Sequence, residues 1–236
     1  MEHPILKDIM KRPFSLLILL ATAILTNAEE KPVRYGFLNV VNVIPGKVSC
    51  EIELAGKELV PGGLKASSET GWFMLPTGKH AITIARAGHL RKKADIEMTE
   101  GTSKLIVIHA EPAADVELPA IGFTTLPAYP SKGFGLKFMS TCATGGTFQI
   151  AKKKFEAERF EIVTIPDWSG GGFQLQHLSK LAGTIARGRD RASYYVLVAD
   201  DAAGSYLVTI VNADLQQLPP WMEQQAQESA DTPEAD

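Results

Sequence analysis

The chain has 236 residues, 45% of them hydrophobic and 22% charged, with 24 basic and 27 acidic side chains. That balance belongs to a folded globular protein, since disorder requires less apolar content and more net charge. A formal charge of −3 leaves no surplus of cations for a nucleic-acid backbone, and two cysteines exclude a disulfide-dense miniprotein.

The first 28 residues read as a secretory signal peptide. Lys7, Lys11 and Arg12 make a basic stretch diluted by Glu2 and Asp8, and residues 14–25 are apolar except for Ser15 and Thr22. Such a run suits the apolar region of a signal and falls short of the roughly 20 residues that cross a bilayer. Thr26-Asn27-Ala28 then places a small residue at the cleavage position. An uncleaved anchor and a buried helix are the competing readings. Cleavage after Ala28 puts residues 29–236 outside the cytoplasm, periplasmic or secreted, and no later apolar run is long enough for a membrane span.

Short alternating segments dominate the rest. Val48, Cys50, Ile52 and Leu54 alternate with Ser49, Glu51 and Glu53, the period of a half-buried strand. Leu38, Val40 and Ile44 suggest a partner strand before it, and Ala55-Gly56-Lys57 reads as a tight turn. Further strands are expected at 80–85, 94–98, 105–109, 135–139, 147–151, 160–165, 172–177, 193–199 and 206–212. Residues 178–187 and 221–229 are candidates for short helices. Strands at this spacing, separated by Gly, Pro, Asp and Ser, predict an all-β protein of the sandwich type.

The segment 112–132 holds Pro112, Pro119, Pro127 and Pro130, which argues against a central strand and for a linker. The chain repeats itself weakly on either side of it. Leu38, Val40, Cys50 and Ile52 match Leu136, Phe138, Phe148 and Ile150, Gly71-Trp72-Phe73 is echoed by Gly171-Gly172-Phe173, and each half ends in an aliphatic strand. Two immunoglobulin-like modules at 29–111 and 133–218, related by duplication, explain the pattern; chance likeness between amphipathic strands is the alternative. Residues 219–236 are acidic, with no basic residue, and read as a disordered tail.

One stretch carries a resemblance. Residues 75–84, Leu-Pro-Thr-Gly-Lys-His-Ala-Ile-Thr-Ile, lead to Ala87-Gly88-His89, then Glu100-Gly101-Thr102 and an aliphatic strand. Over residues 34–111 this resembles the PEGA-type family of small extracytoplasmic β sandwiches, with His89 where the family has tyrosine. The overall layout is similar to that of the periplasmic accessory proteins of alginate O-acetylation. Both resemblances imply binding or scaffolding, and neither transfers a functional residue.

Chemistry-bearing residues are sparse. His80, His89, His109 and His177 have no metal-ligand spacing, so no metal and no cofactor is expected. The Gly-x-Ser-x-Gly elbow is missing, and Asp167-Trp168-Ser169 has only His177 as a proton relay. Asp200-Asp201 sits at a Gly-containing turn, where Asp serves the backbone. Cys142 continues an apolar face. An oxidising compartment permits a Cys50–Cys142 bridge, whereas the repeat points both thiols into separate cores. Trp168 and Phe173 flank Gly170-Gly171-Gly172, a candidate surface for a sugar ring or a protein partner, with a core-filling tryptophan as the competing reading. Lys152, Lys153 and Lys154, and Arg187, Arg189 and Arg191, are basic clusters that suit an acidic polysaccharide, a lipid head group or an acidic partner, or that merely protect a strand edge. The resulting expectation is a noncatalytic binding or adaptor protein of the cell envelope, partnered by an envelope protein or a polysaccharide. The alternatives are a carbohydrate-active enzyme or glycan-binding accessory, and a structural component of a surface assembly.

Overall fold

Leu105, Ile106, Val107 and Ile108 are all fully buried. Successive side chains of a strand face opposite ways, so this strand must have a core on each side. The structure, a computed structural model, describes residues 33–111, 118–129, 133–178, 180–185, 192–201 and 204–213. The expected signal peptide, the acidic tail and the second candidate helix lie outside the described residues, as do Arg187, Arg189 and Arg191.

Every regular element described is a strand. The first half holds β1 (Tyr35–Asn42), β2 (Glu51–Leu54), β3 (Lys57–Glu58), β4 (Ser68–Glu69), β5 (Phe73–Pro76), β6 (Gly78–Ala85), β7 (Lys92–Met98), β8 (Ser103–Ala110) and β9 (Ile121–Pro127). The second holds β10 (Gly135–Ser140), β11 (Gly146–Ile150), β12 (Lys153–Ala157), β13 (Ile162–Ile165), β14 (Phe173–His177), β15 (Lys180–Ile185), β16 (Ser193–Asp200) and β17 (Tyr206–Asn212). Sheet I has the order β4-β1-β8-β9 with β5 also on β1, and sheet II is β3-β2-β6-β7. Sheet III is β13-β10-β16-β17, and sheet IV is β12-β11-β14-β15. β1 runs parallel to β8 and β10 parallel to β16; the other strand pairs are antiparallel. Sheets I and II thus recur in sheets III and IV, with β13 answering β5 and no described strand answering β4.

Three apolar layers hold the sheets. Leu38, Val40, Ile106 and Ile108 of sheet I meet Ile52, Ile82, Ile84 and Ile96 of sheet II. Leu136, Phe138, Val196 and Val198 of sheet III meet Phe148, Ile150, Phe173 and Leu175 of sheet IV. The third layer joins the opposite faces of sheets I and III: Val41, Leu105, Val107 and Leu126 against Met139, Tyr195, Leu197 and Val211. The order of layers is therefore II, I, III, IV, and the central strands are apolar on both faces, as doubly covered strands are. All seventeen strands lie in one unit, Tyr35–Asp236.

Several expectations change against this frame. The segment 112–132 carries β9, whose Ile121 and Leu126 are buried. It stands at the edge of sheet I, where Pro127 removes no ladder bond that a central strand would need. The candidate helix at 178–187 is, over its described part, β15. Leu178, at a φ of 47°, turns the chain back so that β15 satisfies the backbone of β14. β1 is no partner of β2 and pairs across to β8, β4 and β5. The Ala55-Gly56 turn stands as expected, with φ of 51° and 76°.

The repeat also needs adjustment. Leu54 and Ile52 face Ile82 and Ile84 as Ile150 and Phe148 face Leu175 and His177. Ile52, not Cys50, therefore answers Phe148, because the chain from Phe138 to Phe148 is two residues shorter than the chain from Val40 to Ile52. Phe73 opens β5 in sheet I whereas Phe173 opens β14 in sheet IV, so the glycine-aromatic echo joins unrelated positions.

Candidate functional site

Parallel pairing gathers strand ends. Val43, Glu111 and Thr141 directly follow β1, β8 and β10, and Asp200 ends β16. All four line one cleft of about 350 Å³ between the two halves. Its organising residue is Arg159, whose guanidinium spans the seam. Nη1 donates to Glu111 Oε2 at 2.9 Å and Nη2 to the Ala110 carbonyl at 2.9 Å, while Nε donates to the Thr141 carbonyl at 3.2 Å. The Phe160 ring lies 4.3 Å beneath it. A planar fork with fixed donors suits this three-way contact, which an ammonium cannot reproduce.

His109 of β8 stands behind Glu111. It is buried, its Nε2 is 3.2 Å from Thr124 Oγ1, and its Nδ1 is 3.6 Å from Glu111 Oε1, too far for a good hydrogen bond. Burial lowers its pKa to about 4 against the upward pull of Glu111, with Arg159 and Lys92 pushing it further down. The imidazole is thus neutral at neutral pH, and Glu111 spends its charge on Arg159. The Thr141 hydroxyl donates to the Val198 carbonyl at 3.1 Å. Asp200 accepts the Ala143 N–H at 2.7 Å, and Asp201 accepts the Ser205 hydroxyl at 3.0 Å within its turn. With Glu111 and Arg159 cancelling, Asp200 and Asp201 leave the cleft acidic, so it favours a cationic group over a carboxylate or phosphate.

The residues singled out from sequence fall elsewhere. Trp168 is half-buried and meets Phe134, Phe173 and Tyr194 edge-on at 5.6, 6.3 and 5.6 Å; its indole N–H is given to the Gly171 carbonyl at 2.8 Å. Phe173 is buried in the second core. Trp168 therefore closes the end of that core, the competing reading of the pair. Lys153 reaches the Pro166 carbonyl and Asp167, at 3.2 and 3.4 Å, and Lys152 and Lys154 are exposed. Cys50 and Cys142 are free thiols in separate cores, so the bridge is not formed. Burial pushes them up to about 11 and about 12, which leaves neither as a ready nucleophile.

His177 does not serve as a proton relay. Its ring stacks on Phe148 at 4.1 Å and meets Tyr206 edge-on at 5.1 Å, with neither nitrogen hydrogen-bonded among the described residues. His80 bonds the Pro76 carbonyl at 2.7 Å and His89 the Arg86 guanidinium at 3.3 Å. Among the described residues no group of three or more His, Cys, Asp or Glu is placed to hold a metal, and no helix is long and apolar enough to cross a membrane.

Sequence reasoning missed Arg159, Glu111 and the joining of His109 to them. The available signal was position: His109 and Glu111 follow directly on the aliphatic run at 105–108. Arg159 follows β12 with nothing local to mark its partners, which are 18, 48 and 49 residues away. No family model matches the chain, and the search of curated proteins finds no match.

Proposed function

We propose that this chain is an exported, noncatalytic binding or adaptor protein of the cell envelope, built from two PEGA-like, immunoglobulin-like sandwich modules that follow a signal peptide. The observation that carries the reading is the pair of unlike outer faces on one fused body. Sheet II turns Glu51, Glu53, Asp95 and Glu97 outward together with Lys79 and Lys93, a charged face of mixed sign around the small Ala81, Thr83 and Ala85 of β6. Sheet IV turns out Thr147, Gln149, Gln174, Gln176 and Thr184, amides and hydroxyls across β11, β14 and β15, with charges, Lys154 and Glu156, only along its β12 edge. A layer of apolar side chains and the Arg159 strap fix one face relative to the other, as an adaptor holding two partners requires. The raised pKa values of the buried thiols fit a role without covalent chemistry.

A second reading, a glycan-binding accessory, is favoured by the face of sheet IV. The uncharged amides of Gln149, Gln174 and Gln176 can hydrogen-bond sugar hydroxyls with no charge of their own to desolvate.

Crosslinking the chain in its native envelope, capturing it and identifying what comes with it tests both readings. The adaptor reading expects reproducible partners that Glu53→Lys with Asp95→Lys releases. The glycan reading expects retention on polysaccharide that Gln174→Ala with Gln176→Ala abolishes at unchanged thermal stability. Recovery of the chain alone, with no retention on polysaccharide, contradicts both.

A further inference from the structure

Residues 152–158 read Lys-Lys-Lys-Phe-Glu-Ala-Glu: cations, a central aromatic, then carboxylates. β12 takes the middle of this segment and stands at the edge of sheet IV, paired with β11 on one side only. The register decides which backbone groups face outward. Ala151 donates its N–H to the Gln174 carbonyl of β14, so Gln149 and Ala151 bond towards β14 while Phe148 and Ile150 bond towards β12. Phe155 and Lys153 answer Phe148 and Ile150. That leaves the N–H and C=O of Lys154 and Glu156 on the open side, where no hydrogen bond takes them among the described residues.

We propose that β12 is an interface with a second copy of this chain, the two β12 strands pairing antiparallel about Phe155. In that register Lys154 stands opposite Glu156 of the second copy, and these residues exchange the outward backbone hydrogen bonds. Lys152 stands opposite Glu158, and Phe155 opposite its own counterpart. Alternate residues share a face, so the two-fold axis repeats both charge pairs on the outer face. Lys153, whose side chain turns to Asp167, stays out of this set. Lys152, Lys154 and Glu158 make no ion pair among the described residues, and Glu156 accepts only the Thr147 hydroxyl, at 2.6 Å.

The charge order selects this occupant over others. A parallel pairing in register sets lysine against lysine and glutamate against glutamate, which is unfavourable. An acidic polymer drawn to the lysines meets Glu156 and Glu158 beside them. The corresponding strand of the first half, β3, is two residues long and is followed by Pro61, a blunted edge of the usual kind. β12 has five residues and no such stop. Pairing joins two four-stranded copies of sheet IV into one continuous sheet across an isologous contact.

Sedimentation velocity of the full chain as recovered from cells tests this, run over a range of concentrations at low and high salt. The wild type is expected to dimerise in a concentration-dependent way, more weakly in high salt. Lys154→Glu and Glu156→Lys each place like charges opposite one another and should weaken association about tenfold or more. The double variant carrying both changes restores opposite charges and should recover the dimer, with thermal midpoints checking that every variant is folded. A monomer at all concentrations overturns the proposal. So does a dimer that ignores the single reversals, or one that the double variant fails to recover.

Discussion

His109 is buried between Glu111 and Thr124. Its folded pKa lies near 4, whereas an unfolded histidine titrates near 6.5. Between those values the unfolded chain holds a proton that the folded chain refuses, so stability falls as pH drops through that window and is unaffected above it. His89 and His177 shift in the same direction, chiefly by burial. Unfolding in denaturant should therefore show a midpoint that declines from about pH 6.5 to pH 4. His109→Gln, which keeps a donor and an acceptor, should flatten the decline. An unchanged slope would place His109 in contact with solvent. Trp168 makes the other residue-level case. Losing its contacts with Phe134, Phe173 and Tyr194 should cost about 2 kcal/mol, a fall of about 6 °C in thermal midpoint, as expected for a half-buried ring of this size. A midpoint unchanged in Trp168→Ala would mean that the indole serves the surface rather than the core.

At the scale of the element, legibility followed burial on one face. β6, β7, β11 and β14 alternate buried and exposed residues, and each lies close to its expected position. β12 escaped because its side chains are mostly charged, and pairing rather than alternation makes it a strand. β9 escaped because prolines mark its surroundings; an edge position tolerates them. β15 carries Gly183, beside Val208 of sheet III, and its apolar residues fit a helical period as well as a strand's. The candidate site was less legible still. Its residues stand at the ends of four strands, and only the parallel pairing of β1 with β8 and β10 with β16 brings them together. The competition between Trp168 as a ligand platform and as a core cap was visible in sequence; which one wins depends on Phe134 and Tyr194, whose approach it did not reveal.

For the molecule as a whole, the unbroken apolar runs at 105–108 and 195–198 carried a signal beyond the repeat they were read for. An alternating strand covers one core, but these runs cover two, and the second is the layer between sheets I and III. That layer turns a repeated pair of sheets into one body. Tyr195 illustrates the join: it is fully buried, bonds the Pro127 carbonyl at 3.1 Å and packs edge-on against Tyr129 at 4.9 Å. Trp72 reaches across likewise to the Asn212 carbonyl at 3.3 Å. Separate modules on a linker would keep a solvated outer face on sheet I and on sheet III, whereas Leu105, Val107 and Leu197 on those faces are completely buried. The most direct measurement is scanning calorimetry of the wild type beside Leu197→Ala. A single transition is predicted, with calorimetric and van't Hoff enthalpies in agreement, shifted downward as a unit by the substitution. Two transitions, of which Leu197→Ala moves only one, would contradict the fused body and return the chain to two independent modules.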